Sequence, residues 1–222
     1  MYTRGGMEKK KPGVKLIAIA GPSASGKTLL AEKLVQKLGR KNAVILSQDR
    51  YYKDLSRMPL RKRGCINFDE PKAFDFVLMK KQIKDLCNGK RIRAPRYSFR
   101  LHKRLSKRTI IPNSSDLFSM SYIIVEGILV YYPGDLRDLF DLKVYVDIDE
   151  ATALARRIRR DVAHRSETIE LVCERFFRDV LPMQKRYIEI QKKEADVVIN
   201  EKDQISKSID ILYKIVKDPG KV

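Results

Sequence analysis

The segment from Gly21 to Thr28, GPSASGKT, constrains this chain more than any other. It matches the pattern GxxxxGK[ST] and lies between a short apolar segment, Val14–Ala20, and a helical pattern that starts at Lys27. A strand, a glycine-rich loop and a helix in this order form a phosphate-binding loop, in which backbone N–H groups and the helix N-terminus face phosphate oxygens. Lys27 can reach the β- and γ-phosphates, and the Thr28 hydroxyl can bind Mg²⁺. We therefore predict that ATP binds Gly21, Pro22, Ser23, Ala24, Ser25, Gly26, Lys27 and Thr28.

Short apolar segments alternate with helical patterns along the rest of the chain. After the strand at Val14–Ala20, further strands are predicted at Ala43–Leu46, Tyr122–Val125, Leu142–Val146 and Ala195–Ile199. Helices are predicted at Lys27–Leu38, Pro71–Cys87, Glu150–Val162, Ile169–Tyr187 and Ile205–Val216. Buried strands that alternate with helices form a parallel sheet covered on both faces. We therefore expect an α/β, P-loop NTPase fold with a parallel five-stranded sheet and helices on both faces.

Two helices carry features that can be tested individually. Leu154, Ile158 and Val162 recur at helical spacing and predict the apolar stripe of the helix at Glu150–Val162. Pro182 lies inside the helix at Ile169–Tyr187, and we expect it to bend that helix.

The segment Lys90–Ile111 departs from this alternation. Two extended stretches, Arg91–Phe99 and Thr109–Ile111, enclose a strongly basic middle, which predicts a β-hairpin outside the main sheet. Residues 1–13 are polar and basic and end in Pro12-Gly13, so we expect a flexible basic leader. The remainder, 14–222, is assigned to a single P-loop domain with a hairpin lobe at 90–111 and an arginine-rich lid at 156–167.

The charge balance and the cysteines limit the classes of protein. Forty-seven Lys and Arg against 28 Asp and Glu give a net charge of +19, which indicates an anionic partner: nucleic acid, an acidic membrane surface or a phosphate-bearing small molecule. No apolar run reaches the roughly 18 residues of a membrane span. The three cysteines are scattered without metal-ligand spacing, so we expect reduced thiols in a cytoplasmic protein with no disulfide framework and no zinc site.

Carboxylates follow two of the predicted strands. Asp49 comes just after the second strand and Glu126 directly after the third. Ligands of open α/β sheets bind beyond the carboxyl ends of the strands, so Asp49 is a candidate for accepting the proton of an attacking hydroxyl and Glu126 for the Mg²⁺ shell. The alternatives are a helix cap or solvated loop acid for Asp49 and a turn residue for Glu126.

A second set of candidates lies further along the chain. Asp69, in Asn67-Phe68-Asp69, is a candidate for binding sugar hydroxyls, with Phe68 stacking on the ligand. The alternative is that Asn67 or Asp69 caps the following helix. Arg157 and Arg160 lie at neighbouring surface positions of a helix and could clamp a transferring phosphate. The alternative there is a solvated basic face.

A phosphate-binding loop alone does not define the reaction. The chain shows no NKxD-like element of the kind by which GTPases read guanine, and it is short for an ATPase motor. A small-molecule kinase needs an acceptor pocket, a carboxylate beside the acceptor hydroxyl and cations over the phosphates. This chain offers candidates for all three.

From about Lys15 to about Ile199 the chain resembles the uridine kinase (uridine–cytidine kinase) family of P-loop kinases. Besides the loop, the resemblance is carried by segments in one order. They are Leu46-Ser47-Gln48-Asp49 with Tyr52, Asn67–Asp75, Pro95–Phe99, Glu126–Leu129, Phe140–Leu142, Val146-Asp147, Arg156–Asp161 and Ala195–Ile199.

The resemblance implies ATP-dependent phosphorylation of a nucleoside 5′-hydroxyl, with Mg²⁺. Asp49 matches the catalytic base, Lys27 the loop lysine, Asp69 the ribose ligand and Glu126 the carboxylate on the Mg²⁺ side, which leaves Thr28 and Glu126 as the metal residues. The matches to the nucleoside pocket are Tyr52, Phe68, Tyr97, Phe99, His102 and Ile128. The matches to the lid arginines are Arg157, Arg160 and Arg165, with Arg157 also near the ribose.

Two positions depart from the family pattern. Ser166-Glu167 stands where the family has Gly-Arg, and Arg175 where it has Gln; both family positions touch the nucleoside. Glu167 and Arg175 are eight residues apart, or about 12 Å along a helix, so we do not expect a swapped salt bridge. Near the end, Glu194 replaces a family tyrosine.

We therefore expect an ATP-dependent kinase that acts on a nucleoside or another small hydroxyl compound. We expect neither a nucleic-acid nor a membrane partner and leave a homo-oligomer open. Two alternatives stay open. One is a related kinase with a phosphoribulokinase-like or pantothenate-kinase-like acceptor, and the other is a basic nucleotide-sensing protein that binds nucleic acid.

Overall fold

A computed structural model describes residues 12–112, 120–165, 167–200 and 202–218. Its main sheet has five parallel strands in the order β2-β5-β1-β6-β7. The strands are β1 (Lys15–Ala20), β2 (Ala43–Ser47), β5 (Tyr122–Gly127), β6 (Leu142–Asp147) and β7 (Val197–Asn200). The predicted α/β fold is thereby confirmed. The predicted leader falls almost entirely outside the described residues.

Strand β1 lies at the centre of the sheet because its residues are apolar on both faces. It pairs with β5 on one side and with β6 on the other, and Leu16 to Ala20 are all buried. Each fully buried Leu or Ile side chain stabilises the fold by roughly 1.5–3 kcal/mol. One hydrophobic cluster covers each face of the sheet, so the central strand is fixed firmly enough to position the loop that follows it.

Helices cover both faces of this sheet. Leu30 and Leu34 of one helix and Leu212 of another belong to the cluster on one face, and Met79 and Ile83 belong to the cluster on the other. The helices are α1 (Lys27–Leu38), α2 (Leu60–Arg63), α3 (Phe76–Cys87), α4 (Gly134–Arg137), α5 (Glu150–Arg165), α6 (Ile169–Arg175), α7 (Leu181–Met183) and α8 (Ile205–Lys217). In the described parts of the chain, no helix is long and apolar enough to cross a membrane.

Two predicted helices differ in the structure. Pro71–Ala73 forms only a 3₁₀ turn, and α3 starts at Phe76, after the Asp75 side chain accepts a hydrogen bond from Leu78 N at 3.0 Å. Helix α5 buries its predicted apolar stripe only in part: Leu154 and Ile158 are half-buried, and Leu154 packs against the hydrophobic cluster that contains Phe176. The buried residues of α5 are Ala153 and Asp161, and Val162 is 42% exposed, because the face that turns inward carries the charged groups of the cleft described below.

The helix predicted at Ile169–Tyr187 is irregular around its proline. π-Helical turns at Phe176–Val180 and Gln184–Ile188 flank α7, which contains Pro182, and a 3₁₀ turn at Glu189–Glu194 follows. Proline has no backbone N–H to donate to the helix, and π-turns occur mostly as single-turn bulges inside α-helices. Around Pro182 the helix changes type, and the bend expected there stays a prediction.

The predicted hairpin is present as β3 (Ile92–Ser98) and β4 (Lys103–Ile111), which pair antiparallel outside the main sheet. The basic middle of the segment is part of β4, so the second strand is longer than predicted. The register shifts between Ala94 and Arg96, where Pro95 lies opposite Ser106–Arg108. As a result Ala94 and Pro95 are both buried, and Arg93 and Arg96 both face outward.

Candidate active site

The phosphate-binding loop connects β1 to α1 and holds a conformation that its small residues permit. Gly21 and Gly26 have φ values of 152° and 95°, in the range that favours glycine. A Cβ on Gly21 would lie 2.4 Å from the carbonyl oxygen of Val146. The loop therefore passes so close to strand β6 that only glycine fits at its first position.

Lys27 and Ser25 show that this loop suits a phosphate. Lys27 Nζ donates to the Pro22 carbonyl oxygen at 3.2 Å, which keeps the ammonium folded over the loop. Its enclosure lowers the pKa of the Lys27 ammonium, while the carboxylates of Glu126 and Asp49 oppose that shift. The Ser25 hydroxyl is buried, with no hydrogen-bond partner among the described residues. Phosphate oxygens would satisfy such groups.

Thr28 and Glu126 meet at the carboxyl edge of the sheet. Glu126 is in register with Ile19 on the neighbouring strand β1, and Thr28 Oγ1 donates to Glu126 Oε2 at 3.1 Å. No group of three or more His, Cys, Asp or Glu that could hold a metal ion occurs in the described ranges. Mg²⁺ in kinases commonly takes one or two protein oxygens and completes its shell with phosphate and water, so a hydroxyl beside a carboxylate fits that ion.

Asp49 lies on a 3₁₀ turn, Gln48–Tyr51, directly after β2. The Ser47 side chain accepts from Asp49 N at 3.4 Å and caps this turn, so the Asp49 side chain is left to face the cleft. Asp49 is exposed to the open cleft, and the surrounding walls of the cleft desolvate its carboxyl and raise the pKa. The negative charge of Glu126 raises this pKa further, although Lys27 opposes both. A carboxylate of raised pKa is a better proton acceptor than an ordinary aspartate.

Asp161 organises the three lid arginines. Its buried carboxylate, 1% exposed, lies 2.8 Å from Arg160 Nε, 3.2 Å from Arg165 Nε and 3.4 Å from Arg157 Nε. Burial alone would raise the pKa of the Asp161 carboxyl, but the hydrogen bond and charge of Arg160, with the charges of Arg165 and Arg157, lower it. Asp161 was not among the predicted site residues, although its spacing of four from both Arg157 and Arg165 is a signal for such pairing.

Two arginines join this helix to the phosphate loop. Arg160 Nη1 lies 3.3 Å from Ser23 Oγ, and Arg156 Nη1 lies 3.5 Å from the Ala24 carbonyl oxygen. The guanidinium of Arg165 lies over the ring of Phe99, with its central carbon 4.5 Å from the ring centroid. The lid arginines thus span the space between the loop and the aromatic side chains.

Those aromatic side chains form a pocket around Tyr52. Its ring centroid lies 5.6 Å from that of Phe68, 5.1 Å from that of Tyr97 and 5.7 Å from that of Phe99. Phe68 and His102 stack with centroids 4.8 Å apart and an interplanar angle of 18°. Aromatic pairs at these distances give a rigid, flat-walled pocket.

His102 and Tyr97 present polar atoms that are unpaired among the described residues. Nδ1 of His102 and the hydroxyl of Tyr97 are buried without a hydrogen-bond partner. His102 also holds a φ of 46°, a strained value for a residue with a side chain. Burial, with the nearby Arg175 charge, lowers the pKa of the His102 imidazole. Its neutral form can accept or donate one hydrogen bond to a ligand.

Asp69 lies buried at the other side of this pocket, 7% exposed. Its amide donates to Asn67 Oδ1 at 3.0 Å, and Asp75 caps α3, so neither Asn67 nor Asp69 caps that helix. Burial raises the pKa of the Asp69 carboxyl, and the positive charge of Arg157 opposes the shift. A carboxylate held in this way can accept hydrogen bonds from sugar hydroxyls.

Glu167 and Arg175 form an ion pair, contrary to the expectation from their spacing. Arg175 Nη1 lies 2.8 Å from Glu167 Oε1. The rise of a continuous helix does not apply, because α5 ends at Arg165 and α6 starts at Ile169 with Thr168 as its N-cap. Glu167 therefore lies before the helix that carries Arg175, and the two side chains can meet beside His102.

One cleft of about 930 Å³ brings these groups together. Gly21, Pro22, Ser25 and Tyr97 are not on its wall. Three of them belong to the loop itself, and Tyr97 packs against Tyr52 and Phe99, which do line the cleft. The predicted residues that line it are Ser23, Ala24, Gly26, Lys27, Thr28, Asp49, Tyr52, Phe68, Asp69, Phe99, His102, Glu126, Ile128, Arg157, Arg160 and Arg165. Glu167, Arg175, Asp179 and Val180 also line it.

The fold and this cleft define a P-loop kinase. A family model described as "Phosphoribulokinase / Uridine kinase family" matches residues 16–206. The chain therefore belongs to the phosphoribulokinase/uridine kinase family, and it is an ATP-dependent phosphotransferase.

Individual relatives match nearly the whole length of the chain. It is 38% identical to a uridine kinase of Lactobacillus helveticus (strain DPC 4571), over 89% of this chain and 91% of that protein. It is 40% identical to a uridine kinase of Macrococcus caseolyticus (strain JCSC5402), over 89% of this chain and 93% of that protein. A solved phosphoribulokinase from Rhodobacter spheroides has a TM-score of 0.60 at 14% identity, over 85% of this chain and 70% of that one, and shows the shared fold.

Proposed function

We propose that this kinase transfers the γ-phosphate of ATP to the 5′-hydroxyl of a nucleoside. The observation that carries the proposal is one continuous cleft with a phosphate loop at one end and a flat aromatic pocket at the other. The charge of Asp49 acts on Lys27 on the loop side and on Tyr52 and Asp69 on the pocket side. Asp49 thus lies between the phosphate site and the aromatic pocket. A nucleoside bound in that pocket would have its 5′-hydroxyl beside this carboxylate, in position to attack the γ-phosphate.

Separate groups of residues in the cleft then bind the phosphates, accept the proton and stabilise the transferring phosphoryl group. The loop amides and Lys27 bind the phosphates, and Thr28 and Glu126 would hold Mg²⁺, which when bound neutralises charge on the phosphate oxygens. Asp49 accepts the proton of the attacking hydroxyl. Arg157, Arg160 and Arg165 stabilise charge on the transferring phosphoryl group, and Asp161 fixes their directions.

The pocket residues position the acceptor. Asp69 and Arg157 bind the ribose hydroxyls, and Phe68 with His102 and Tyr52 holds the base. Ile128, 5% exposed, closes the pocket between the sheet and the ribose. Because the reaction consumes ATP, the cytoplasm is the proposed compartment.

The aromatic walls favour a nucleoside over the other acceptors considered. A sugar phosphate such as ribulose 5-phosphate needs unpaired cations for its own phosphate group. The end of the cleft around Tyr52 is walled by aromatic rings, and its arginines Arg165 and Arg175 are paired with Asp161 and Glu167. The names of the sequence relatives agree with a nucleoside acceptor.

An ADP-release assay with Mg²⁺ tests the proposal. Uridine, cytidine, ribulose 5-phosphate and pantothenate would be offered as acceptors, with 5′-deoxyuridine as the matched control that lacks only the attacking hydroxyl. We expect a nucleoside 5′-monophosphate from at least one nucleoside and no product from 5′-deoxyuridine. Turnover of ribulose 5-phosphate or pantothenate without turnover of any nucleoside would overturn it.

A further inference from the structure

The positive charge of the chain is concentrated in one part of it. Residues 50–112 contain 19 Lys and Arg and five Asp and Glu, a net charge of +14 out of +19. The other residues contain 28 and 23 of these types and are close to balanced. Because like charges repel and lower the stability of a compact fold, such a concentration calls for an anionic ligand or for local acidic partners.

The centre of this charge is the outer face of the β3–β4 hairpin. From Lys90 to Arg108 there are nine Lys and Arg and no acidic residue. Arg104 turns inward, where it pairs with Asp75 at 3.1 Å and donates to the carbonyl oxygens of Tyr51 and Tyr52. Six cations are exposed and do not line the cleft. This basic ribbon face consists of Lys90, Arg91, Arg93, Arg96, Lys107 and Arg108.

The backbone of the hairpin arranges these cations in a row. Arg93 and Arg96 are both exposed, whereas Ala94 and Pro95 between them are both buried, so the two arginines lie on the outward face of the hairpin. Strict alternation would turn residues three apart to opposite faces, but the register shift at Pro95 keeps Arg93 and Arg96 together. In the described residues, Arg93, Arg96, Lys107 and Arg108 have no carboxylate partner.

We propose that the basic ribbon face binds the phosphodiester backbone of a single-stranded RNA. Arg91, Arg93 and Arg96 are spaced by about 7 and 10 Å along an extended strand, so several phosphates of one chain can be contacted at once. A flexible single strand can follow the twist of a two-stranded ribbon. The face carries no aromatic side chain for stacking, so the binding depends on charge and is insensitive to base sequence.

This inference departs from the expectation that no nucleic acid binds. The structure separates the ribbon cations from the cations that line the cleft, so the charge of the hairpin is not needed to bind the phosphates of ATP. The kinase reaction does not use the ribbon face, so the two proposals can fail separately.

Fluorescence anisotropy with a labelled 20-nucleotide single-stranded RNA, between 50 and 200 mM salt, tests the proposal. The ribbon variant replaces Arg93, Arg96, Lys107 and Arg108 with Gln. The matched control replaces Lys33, Lys202, Lys207 and Lys214 with Gln. These four lysines are exposed and outside the hairpin, so both variants lose four positive charges.

We expect the wild-type protein to bind the RNA with a strong salt dependence. The ribbon variant should bind at least about 30-fold more weakly at 50 mM salt, and its slope of log K against log salt should fall by about 3, the value for four phosphate contacts to a single strand. The control should stay within about threefold of wild type. Single-stranded DNA of the same length should bind similarly, and nucleoside kinase turnover should be unchanged in both variants.

Three results would overturn the proposal. One is the absence of RNA binding by the wild type at 50 mM salt, and another is an equal loss in both variants, which would show a response to net charge alone. The third is tight binding to vesicles containing anionic phospholipid, lost in the ribbon variant, without comparable binding to RNA.

Discussion

Arg175 and Glu167 face each other at 2.8 Å across the break between α5 and α6, at the end of the cleft that holds His102. Each side chain therefore neutralises the other at the edge of the proposed base pocket. This pair, more than the intact phosphate loop, distinguishes the acceptor site from the family pattern of Arg and Gln at these positions.

Arg175→Gln alone should weaken acceptor binding, because it leaves the Glu167 carboxylate unpaired in the cleft. An unsatisfied group of this kind costs about 1–3 kcal/mol, so kcat/KM for the nucleoside should fall by about 5- to 150-fold, mainly through KM. The double change Glu167→Arg with Arg175→Gln should raise kcat/KM for uridine above wild type, measured at saturating ATP. Efficient wild-type phosphorylation of uridine that the double change does not improve would assign base recognition to other residues.

Lys27→Ala should remove most ATP binding or turnover, because its ammonium folds over the loop that is proposed to bind the phosphates. Titration calorimetry with ATP and Mg²⁺ measures the loss. Lys33→Ala, on the same helix but exposed, is the control and should behave as wild type. Unchanged affinity and turnover in the Lys27 variant would remove the loop from the proposed mechanism.

Asp49→Asn should lower kcat by roughly 10²–10⁴, the usual contribution of a positioned general base, and should largely preserve ATP affinity. The measurement is steady-state turnover alongside ATP calorimetry. A kcat close to wild type would leave Asp49 with a structural role only.

The pH profile of the wild-type enzyme gives an independent test of Asp49. Only the ionised carboxylate accepts a proton, and the pKa of Asp49 is raised above its usual 3.8. Activity should therefore be present above the raised pKa and be lost as the pH falls through it, at a higher pH than for an ordinary aspartate. The kcat/KM profile for the nucleoside should show this acid limb, and the residual activity of Asp49→Asn should lack it.

Asp161→Asn should lower kcat by about 10- to 100-fold, because removing a charged hydrogen-bond acceptor costs roughly 1.5–3 kcal/mol and three arginines lose their common partner. KM for ATP should change less than kcat if the arginines act mainly on the transferring group. Thermal unfolding controls for a general loss of stability. Asp210→Asn, an exposed acid that pairs with Lys37, should leave turnover unchanged.

Local patterns were sufficient to predict the sheet, the phosphate loop and the position of Asp49. Each depends on residues close in sequence: an apolar strand, the loop that follows it and a polar side chain at a strand end. Asp49 and Glu126 come together because parallel strands end at one edge, which the strand pattern already implies.

The relationships that were missed depend on contacts between segments. The inward face of α5 could not be predicted from its apolar spacing, since Asp161 is buried by its arginine partners and Val162 is left outside. The Glu167–Arg175 pair depends on a helix end, and helix ends are the least certain part of a periodic pattern.

The register shift at Pro95 determines which side chains of β3 face outward and which face the pocket. Arg93, before the shift, faces outward, and Tyr97, after it, contacts Tyr52 in the pocket with ring centroids 5.1 Å apart. An insertion or deletion of one residue between them would rotate every later side chain of the strand to the opposite face. Substitutions on the outward face are therefore independent of the pocket, whereas changes in strand length are not, and we expect homologous hairpins to vary in charge much more readily than in length.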